Sequence, residues 1–292
     1  MDGSAGVPSK PEWLRVRLAP GPGLGRVRDT LRAHRVRSVC DSSRCPNVGD
    51  CWGHGTATFM ILGDVCTRGC RFCAVRSGDP EGQQDEDEPE RVASAVSDLG
   101  LRHVVITSVT RDDLEDGGAS IFASAVKAIR RKSPTTTIEL LIPDMEARAG
   151  SLKAVTDSLP DVIGHNLEVV RSLQRVARDP RASFERSLAV LKELRRLAPT
   201  TWVKTSLMLG LGERREEVLQ AMMDARASGV DLLSLGQYLR PEGGSLAVER
   251  YVPPEEFAEL RREALHMGFA RVMAGPMVRS SYHAHDMISE ED

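Results

Sequence analysis

The chain has 292 residues, of which 41% are hydrophobic and 28% are charged, so it is long enough for one large domain with a substantial core. Its formal net charge of -3 gives no reason to expect nucleic acid or an anionic membrane surface as a partner. No apolar run approaches the ~20 residues of a membrane span, and the first dozen residues lack the apolar stretch of a secretory signal.

Short strand-like and helix-like segments alternate along most of the chain. The predicted strands are mostly apolar or β-branched, and they are Thr58 to Leu62, His103 to Ser108, Thr137 to Ile142, Asp161 to Gly164, Trp202 to Leu209 and Leu232 to Gln237. The predicted helices are Pro89 to Leu99, Ala119 to Lys132, Leu152 to Ser158, Phe184 to Leu197, Glu216 to Ser228 and Pro254 to Met267. Strand-helix units in succession predict an α/β fold with a parallel sheet and right-handed crossovers, here a partial (β/α)6 barrel of the TIM type.

Two segments fall outside the repeat and predict a chain of three parts. These are an N-terminal extension (1–55), the barrel (56–268) and a C-terminal tail (269–292). Both end segments are expected to cap the barrel. Basic residues cluster in the first of them, at Arg15, Arg17, Arg26, Arg28, Arg32, Arg35 and Arg37. A solvated helix face explains such a cluster more often than an anionic partner does.

All six cysteines lie in two triplets near the start of the chain. The first triplet has the spacing C-x4-C-x5-C and consists of Cys40, Cys45 and Cys51. The second has the spacing C-x3-C-x2-C, follows the first predicted strand and consists of Cys66, Cys70 and Cys73. Two compact triplets suggest two metal centres rather than a disulfide framework, and free thiolates fit a reducing cytoplasm. Three thiolates leave a tetranuclear iron-sulfur cluster one ligand short, so each centre would have an open iron corner.

A structural zinc site is the alternative for the second triplet. Zinc in such sites takes four closed ligands, and no fourth cysteine is present. His54 could complete a set of three cysteines and one histidine. It precedes the strand that the second triplet follows, so an iron-sulfur centre is favoured.

Polar side chains gather where the predicted strands end. In a parallel barrel these ends meet at the C-terminal face, where active sites form. The polar groups there are Thr107, Ser108, Arg111, Asp112, Asp113, His165, Asn166, Glu168, Glu213, Gln237 and Tyr238, and Lys204 lies within the fifth strand. The sequence therefore predicts one mouth that collects most of the hydrogen-bonding groups of the barrel.

The second triplet, with Phe72 before its last cysteine, resembles the signature of the radical S-adenosylmethionine superfamily. The resemblance implies that this triplet holds a 4Fe-4S cluster whose fourth iron binds S-adenosylmethionine, the source of a 5′-deoxyadenosyl radical. The cofactors carry the chemistry and the protein orients them. The candidates for contact with the cofactor are Phe72, Thr107, Ser108, Asn166, Glu168, Lys204, Glu213 and Gln237. A polar residue at a barrel mouth can equally bond only to neighbouring loops.

Further segments narrow the resemblance to the lipoyl synthase family. They include the first triplet, Cys40-Asp-Ser-Ser-Arg-Cys45-Pro-Asn-Val-Gly-Asp-Cys51, together with His165-Asn-Leu-Glu168, Leu207-Met-Leu-Gly-Leu-Gly-Glu213 and Arg279-Ser-Ser-Tyr282. The resemblance covers residues 10–286. Departures occur at Thr110, at Thr205-Ser206 and at Gly244-Ser-Leu-Ala-Val248, where the family generally has other residues. None of them touches an expected iron ligand, but they permit a divergent paralogue with an altered carrier or acyl preference.

The resemblance implies a role for each metal centre. The first triplet would hold an auxiliary 4Fe-4S cluster whose fourth iron is bound by Ser281, and this cluster would supply sulfur. A serine alkoxide is a harder ligand than thiolate, so this corner should be the easiest to release. Two sulfur atoms would enter at C6 and C8 of an octanoyl chain on a lysine of a lipoyl-carrier domain. Without the resemblance, Ser281 would pass for an ordinary tail serine.

The resemblance also implies partners for the chain. Octanoylated carrier domains would be the H protein or the acyltransferase subunits of 2-oxoacid dehydrogenases. A flavodoxin or ferredoxin would supply single electrons, iron-sulfur assembly or carrier proteins would supply clusters, and the chain would be a monomer. Two other classes of protein remain possible from the sequence. A biotin-synthase-like enzyme would lack the first triplet, and a non-catalytic iron-sulfur electron carrier would normally have complete thiolate ligation.

Overall fold

The structure is a computed structural model that describes residues 10–14, 22–42, 45, 47–53, 58–241 and 246–288. Within them the strands are β1 Arg37–Ser38, β2 Thr58–Ile61, β3 Val65–Cys66, β4 Arg76–Ser77, β5 His103–Ser108, β6 Thr137–Leu141, β7 Val162–Gly164, β8 Trp202–Leu209, β9 Leu232–Gln237 and β10 Arg271–Gly275. The α-helices are α1 Pro22–Ala33, α2 Val39–Ser42, α3 Val48–Gly53, α4 Glu88–Leu99, α5 Ala119–Lys132, α6 Ala149–Thr156, α7 Gln174–Ala177, α8 Phe184–Leu197, α9 Arg215–Ala227 and α10 Pro254–His266. Single turns of 3-10 helix occupy Glu12–Leu14, Met145–Ala147, Arg171–Leu173 and Ala284–Met287.

The main sheet has eight strands in the order β1-β2-β5-β6-β7-β8-β9-β10. β1 is antiparallel to β2, and every other neighbouring pair is parallel. Across the residues described, β1 and β10 are the two edges of the sheet and no strand pairing joins them. The predicted α/β fold with a partial barrel is therefore confirmed.

Local sequence signals fix the ends of several helices. The Ser183 hydroxyl accepts a hydrogen bond from the backbone N–H of Arg186 at 3.1 Å, which caps the start of α8. Gly100 ends α4 in the left-handed conformation, with a φ of 65°, as is common for glycine after a helix. Such signals explain why the predicted helices between the strands are close to the observed ones.

The sheet continues beyond the predicted end of the barrel at residue 268. β10 pairs in parallel with β9, from Arg271 opposite Leu232 to Gly275 opposite Gly236. The six predicted strands are all present and each is followed by a helix. β10 is an additional parallel strand that the sequence did not indicate, because it is short and has a charged residue at one end and glycine at the other. Its pairing with β9 makes it a strand. The division of the chain into three parts, at residues 55 and 268, stays a prediction, and β10 lies in its third part.

The N-terminal part is more structured than the sequence indicated. Helix α1 packs against α3 and α4 and buries Val27 and Leu31. The described members of the arginine cluster, Arg26, Arg28, Arg32, Arg35 and Arg37, are exposed, as expected for a solvated face, whereas Arg15 and Arg17 lie outside the described residues. Ser245 and His54 also lie outside them. Among the helices described here, none is long and apolar enough to cross a membrane.

The C-terminal tail returns across the open side of the sheet. The turn Ala284–Met287 lies against β5 and β10, and the Ser234 hydroxyl donates to Met287 Sδ at 3.7 Å. Further back, the chain passes directly over Gly236 of β9. A Cβ atom at Gly236 would overlap the carbonyl oxygen of Val278. Glycine is therefore required where the tail approaches the sheet.

Replacing Gly236 tests this approach. We expect Gly236→Ala to lower the free energy of unfolding by about 1 to 3 kcal/mol, because the backbone at Val278 must move to admit the new methyl group. Urea unfolding of the two proteins measures the difference. Gly150→Ala is the matched control, since a Cβ there meets nothing within 4 Å and alanine favours a helix by up to about 1 kcal/mol. Equal stability of the two variants would contradict the predicted overlap.

Candidate active site

The second cysteine triplet lies on a loop after β2 and is surrounded by backbone donors. Cys66 ends β3, and the backbone N–H of Cys73 donates to the Cys70 carbonyl at 3.0 Å. Each sulfur accepts backbone N–H groups at 3.4 Å: Cys66 from Arg68 and Thr110, Cys70 from Asp179, and Cys73 from Val75. Hydrogen bonds to sulfur stabilise its negative charge and tune a bound iron-sulfur cluster.

The thiols themselves indicate what would bind there. All six cysteines are free, and burial raises the pKa of the Cys70 thiol. A buried thiolate needs a positive counter-charge, and a coordinated metal supplies one, since it deprotonates its thiol ligands. The donor set thus suits an iron-sulfur cluster. In the part of the chain that the structure describes, no group of three or more His, Cys, Asp or Glu side chains is arranged to hold a single metal ion.

A cavity of about 300 Å³ adjoins the second triplet at the mouth of the barrel. Five of the candidate cofactor contacts line it, namely Phe72, Thr107, Ser108, Asn166 and Glu168. Ser108 Oγ and Asn166 Oδ1 are buried, and neither has a hydrogen-bond partner within the described structure. Buried polar atoms are normally paired, so this cavity fits a polar ligand such as S-adenosylmethionine. Burial raises the pKa of Glu168.

Lys204 lies deeper in the barrel and does not line this cavity. Its ammonium group lies 2.8 and 3.1 Å from the two carboxylate oxygens of Glu139, and both side chains are buried. Burial alone would raise the pKa of Glu139, but Lys204 lowers it below its ordinary value. The structure thus pairs Lys204 with Glu139, and contact of Lys204 with the cofactor stays a prediction. Lys204 lies near the start of β8 rather than at its end, and its ammonium group forms an ion pair with Glu139 inside the barrel.

Glu213 and Gln237 also form hydrogen bonds with backbone groups of the protein. The Glu213 carboxylate accepts the backbone N–H groups of Gly210 at 2.6 Å and Leu211 at 2.9 Å, which closes its own loop. The Gln237 side-chain oxygen accepts the backbone N–H of Val252 at 2.8 Å. Neither residue lines the cavity beside the second triplet. Gln237 does line another cavity, of about 440 Å³, that Cys73 also lines. Contact of Glu213 and Gln237 with the cofactor stays a prediction.

A buried ion cluster holds the loop of the second triplet. The guanidinium of Arg68 is 4% exposed and donates to both oxygens of Asp112, at 2.8 and 2.9 Å, and of Asp144, at 2.7 Å each. Burial would raise the pKa of Asp144, but Arg68 outweighs it and lowers that pKa to about 2. Asp112 follows β5 and Asp144 follows β6, so Arg68 joins three loops. The sequence analysis missed Arg68, although its position between two cysteines of the triplet was a signal.

The first triplet lies beside the returning tail. Cys40 is in α2 and Cys51 is in α3, and the backbone N–H of Cys45 donates to the Cys40 carbonyl at 2.9 Å. Cys40, Cys45, Cys51 and Ser281 all line one cavity of about 290 Å³. The structure therefore brings Ser281 to the first triplet, as the family resemblance implied.

Two side-chain hydrogen bonds attach the tail at this point. The Tyr282 hydroxyl donates to Asp50 Oδ2 at 2.9 Å, and the side-chain amide of Asn47 donates to the Met277 carbonyl at 2.7 Å. Both partners belong to the segment that carries the first triplet. The chain is thus attached to this segment both before Ser281, at Met277, and after it, at Tyr282.

Arg279 is the charged neighbour of the first triplet. Burial raises the pKa of the Cys45 thiol, and the Arg279 guanidinium opposes part of that rise. A cation at this position would stabilise a cluster carried by thiolates.

A third cavity, of about 440 Å³, lies between the two triplets. Cys40, Cys45 and Ser281 line one part of it, and Phe72 and Cys73 line another. Leu141, Met208 and Tyr238 contribute much of its remaining wall. We refer to it as the central chamber. Its mainly apolar lining suits a hydrocarbon chain, and this lining includes thiols of both triplets, Cys40 and Cys45 of the first and Cys73 of the second.

Comparison with known proteins agrees with this geometry. Residues 60–225 match the family model of the radical SAM superfamily. The chain is 51% identical over 286 residues to the lipoyl synthase of Symbiobacterium thermophilum, which covers 98% of this chain and 89% of that protein. It is 52% identical over 282 residues to the lipoyl synthase of Pyrobaculum calidifontis, with 96% of each covered. Among solved structures, methylornithine synthase is similar in fold, with a TM-score of 0.56 at 13% identity over 94% of this chain and 89% of that one.

Breaking the Arg68 cluster tests its role in holding the cysteine loop. We expect Arg68→Ala to lower the free energy of unfolding by about 3 kcal/mol, because the buried Asp144 carboxylate and the largely buried Asp112 carboxylate lose their nearest cation. We also expect bound iron to fall to the content of one cluster. Urea unfolding and iron analysis measure both effects. Lys153→Ala, which breaks an exposed pair with Asp157, should cost less than about 1 kcal/mol. Full iron content in Arg68→Ala would refute the role.

Proposed function

The chain belongs to the lipoyl synthase family of the radical S-adenosylmethionine superfamily, and we propose that it inserts two sulfur atoms, at C6 and C8, into an octanoyl chain carried on a lysine of a lipoyl-carrier domain. The central chamber is the observation that carries this proposal. It offers a mainly apolar space of about 440 Å³ whose lining includes cysteines of both triplets. An acyl chain bound there would meet a radical source on one side and a sulfur source on the other.

The residues around the second triplet would bind and orient the radical cofactors. Cys66, Cys70 and Cys73 would hold a 4Fe-4S cluster. When bound, this cluster and S-adenosylmethionine supply the 5′-deoxyadenosyl radical that removes hydrogen from unactivated carbon. Ser108 and Asn166 would give their unpaired polar atoms to the cofactor.

Phe72, Thr107 and Glu168 complete the proposed contacts with S-adenosylmethionine. All three line the cavity beside the second triplet. Phe72 also lines the central chamber, so it would lie beside both the cofactor and the acyl chain and limit the entry of water. Excluding water protects a reactive intermediate from side reactions.

The first triplet and Ser281 would hold the auxiliary cluster, which is consumed as the sulfur substrate. The tail holds Ser281 beside this cluster through the bonds of Tyr282 and Asn47. A hard oxygen ligand among soft thiolates is the weakest of the four attachments. Release of Ser281 would therefore be the step by which the protein opens this cluster for loss of sulfur.

The partners are proposed from the same chemistry. The octanoyl chain would arrive on the H protein or on acyltransferase subunits of 2-oxoacid dehydrogenases. Electrons would come from a flavodoxin or ferredoxin, and clusters from iron-sulfur assembly or carrier proteins. We further propose a monomer in the cytoplasm, where free cysteines persist. An electron carrier would have no use for the central chamber, so this alternative is not favoured.

Substitution of Ser281 separates radical formation from sulfur insertion. After anaerobic reconstitution and reduction with S-adenosylmethionine and an octanoyl-lysine peptide, we expect the unmodified chain to yield 5′-deoxyadenosine and a peptide with two added sulfurs. Ser281→Ala should still form 5′-deoxyadenosine, while sulfur insertion falls at least about tenfold, as for loss of a metal-site partner. Mass spectrometry of both products measures this.

Ser97→Ala, at an exposed position of α4 that lines neither cavity, is the matched control and should retain sulfur insertion. Cys45→Ala should behave like Ser281→Ala, because both remove a ligand of the same cluster. Deoxyadenosine without added sulfur from the unmodified chain would leave a radical enzyme and overturn the proposed substrate. Full sulfur insertion by Ser281→Ala would refute the role of Ser281.

A further inference from the structure

The loop of the second triplet is exposed to outer solvent before and after Cys70. Gly69 and Arg71, the neighbours of Cys70 in the chain, are both exposed. Neither of them lines the cavity beside the second triplet or the central chamber, whereas Cys70 lines the former. Their exposure is therefore to the outer surface rather than to an internal space. The cluster site thus lies on one side of this loop, and bulk solvent lies on the other.

A second segment, residues 174–181, packs against this loop. The backbone N–H of Arg71 donates to the Ala177 carbonyl at 2.8 Å. The backbone N–H of Asp179 donates to Cys70 Sγ at 3.4 Å, and the Asp179 carboxylate accepts a further N–H of the loop at 2.8 Å. The segment therefore continues the exposed surface of the loop and directly contacts a proposed cluster ligand.

The exposed side chains of this surface are basic, with one apolar residue among them. Val176 is 48% exposed, and the guanidinium of Arg71 donates to its carbonyl at 3.2 Å. Arg175 and Arg181 are exposed on the same segment. The single acidic residue of segment 174–181, Asp179, is buried. We refer to this surface as the arginine face, and it consists of Gly69, Arg71, Arg175, Val176 and Arg181.

The carboxylates near the arginine face lie beneath it. Arg181 pairs with Asp179 and Asp112, whose side chains are only 10% and 13% exposed, while its own side chain is 50% exposed. Arg175 pairs with no carboxylate among the residues that the structure describes. The charge that this face presents to solvent is therefore positive.

The acidic residues of the neighbouring segment 79–88 are attached to a different part of the barrel mouth. The backbone N–H of Gly82 donates to Asp113 Oδ2 at 3.2 Å, and Asp113 belongs to the loop after β5. Segment 174–181 follows β7, which lies two strands further along the sheet. The acidic segment and the arginine face thus belong to loops of different strands, and the face keeps its basic character.

A basic face over the second triplet fits one class of partner. The cluster proposed there must receive an electron for each radical formed, and electron transfer between proteins requires their redox centres to approach closely. The exposed loop at Cys70 offers such an approach. Electron-transfer complexes bury less than about 1,200 Å², so a small face is sufficient. Charge complementarity speeds the encounter of such partners, and a basic face selects an acidic one.

We propose that the arginine face docks an acidic one-electron carrier protein. The arginines pair with carboxylates of the carrier, and the exposed Val176 packs against it. One electron leaves the reduced carrier, which is oxidised by one electron, and enters the cluster held by the second triplet. No bond forms or breaks in this step. The inference rests on the proposed function, in which a flavodoxin or ferredoxin supplies electrons, and it adds the surface that receives the carrier.

Carrier binding is measured on the full-length, reconstituted chain with an oxidised flavodoxin of acidic net charge, by isothermal titration calorimetry. We expect Arg175→Glu to weaken binding by about threefold to tenfold at low ionic strength, and added salt should shrink this difference. Arg262→Glu, at an exposed position of α10 that lines neither the cofactor cavity nor the central chamber, is the matched control and should bind normally. No binding by the unmodified chain, or equal binding by Arg175→Glu, would overturn the proposal.

A second measurement compares two reductants through the formation of 5′-deoxyadenosine from S-adenosylmethionine. With reduced flavodoxin, Arg175→Glu should be slower than the unmodified chain by about threefold to tenfold, and Arg175→Lys, which keeps the charge, should restore most of the rate. With dithionite, which is too small to need a docking surface, all variants should react alike. Equal slowing of Arg175→Glu with both reductants would contradict a docking role.

The two measurements also separate this inference from the proposed function. The titration uses an oxidised carrier, so its result does not depend on radical formation or on sulfur insertion. Absence of 5′-deoxyadenosine from the unmodified chain with dithionite would overturn the proposed function. Normal turnover with dithionite, together with equal flavodoxin-driven rates in Arg175→Glu and the unmodified chain, would instead overturn the docking surface alone.

Discussion

The contact of the C-terminal tail with β9 is the constraint on which the site depends. A partial barrel leaves two sheet edges that do not meet, and the tail crosses the space between β5 and β10. It can do so only because Gly236 lets the Val278 carbonyl approach the sheet. From there the chain leads directly to Ser281. A single close backbone approach thus sets where the fourth ligand of the auxiliary cluster can lie.

The protein treats its buried charges differently at the two ends of the barrel. Deep inside, Lys204 and Glu139 neutralise each other in a closed pair. At the mouth, Arg68 joins the loops of Asp112 and Asp144 to the loop of the second triplet. A buried pair contributes little net stability but is costly to break. These ion pairs therefore restrict the geometry of the mouth more than they add to the overall stability of the fold.

Much of this could be predicted from the sequence, and the exceptions have physical causes. Apolar and β-branched runs predicted the strands well, because burial on both faces leaves a continuous apolar signal. β10 is short and bounded by arginine and glycine, so only its pairing with β9 identifies it. Helix α1 is amphipathic, but it contains two glycines near its start and lies outside the strand-helix repeat from which the other helices were predicted.

In the candidate site, too, some features could be predicted from the sequence and others could not. The spacing of the cysteines predicted two centres, and the family resemblance brought Ser281 to the first of them. Position at a strand end did not predict where side chains point. Lys204 and Glu213 find partners that are specified only by the packed structure, in a carboxylate on another strand and in two backbone amides. Polar contacts of this kind depend on distances that no local pattern encodes.

The wall formed by Cys40, Cys45 and Ser281 joins residues from distant parts of the sequence. A ribosome makes Ser281 long after the three cysteines of the first triplet, so the four residues can come together only when most of the chain has been synthesised and the tail has packed over Gly236. Proteolysis that removed the tail would therefore take Ser281 from the first triplet while leaving the cysteines of both triplets in the chain.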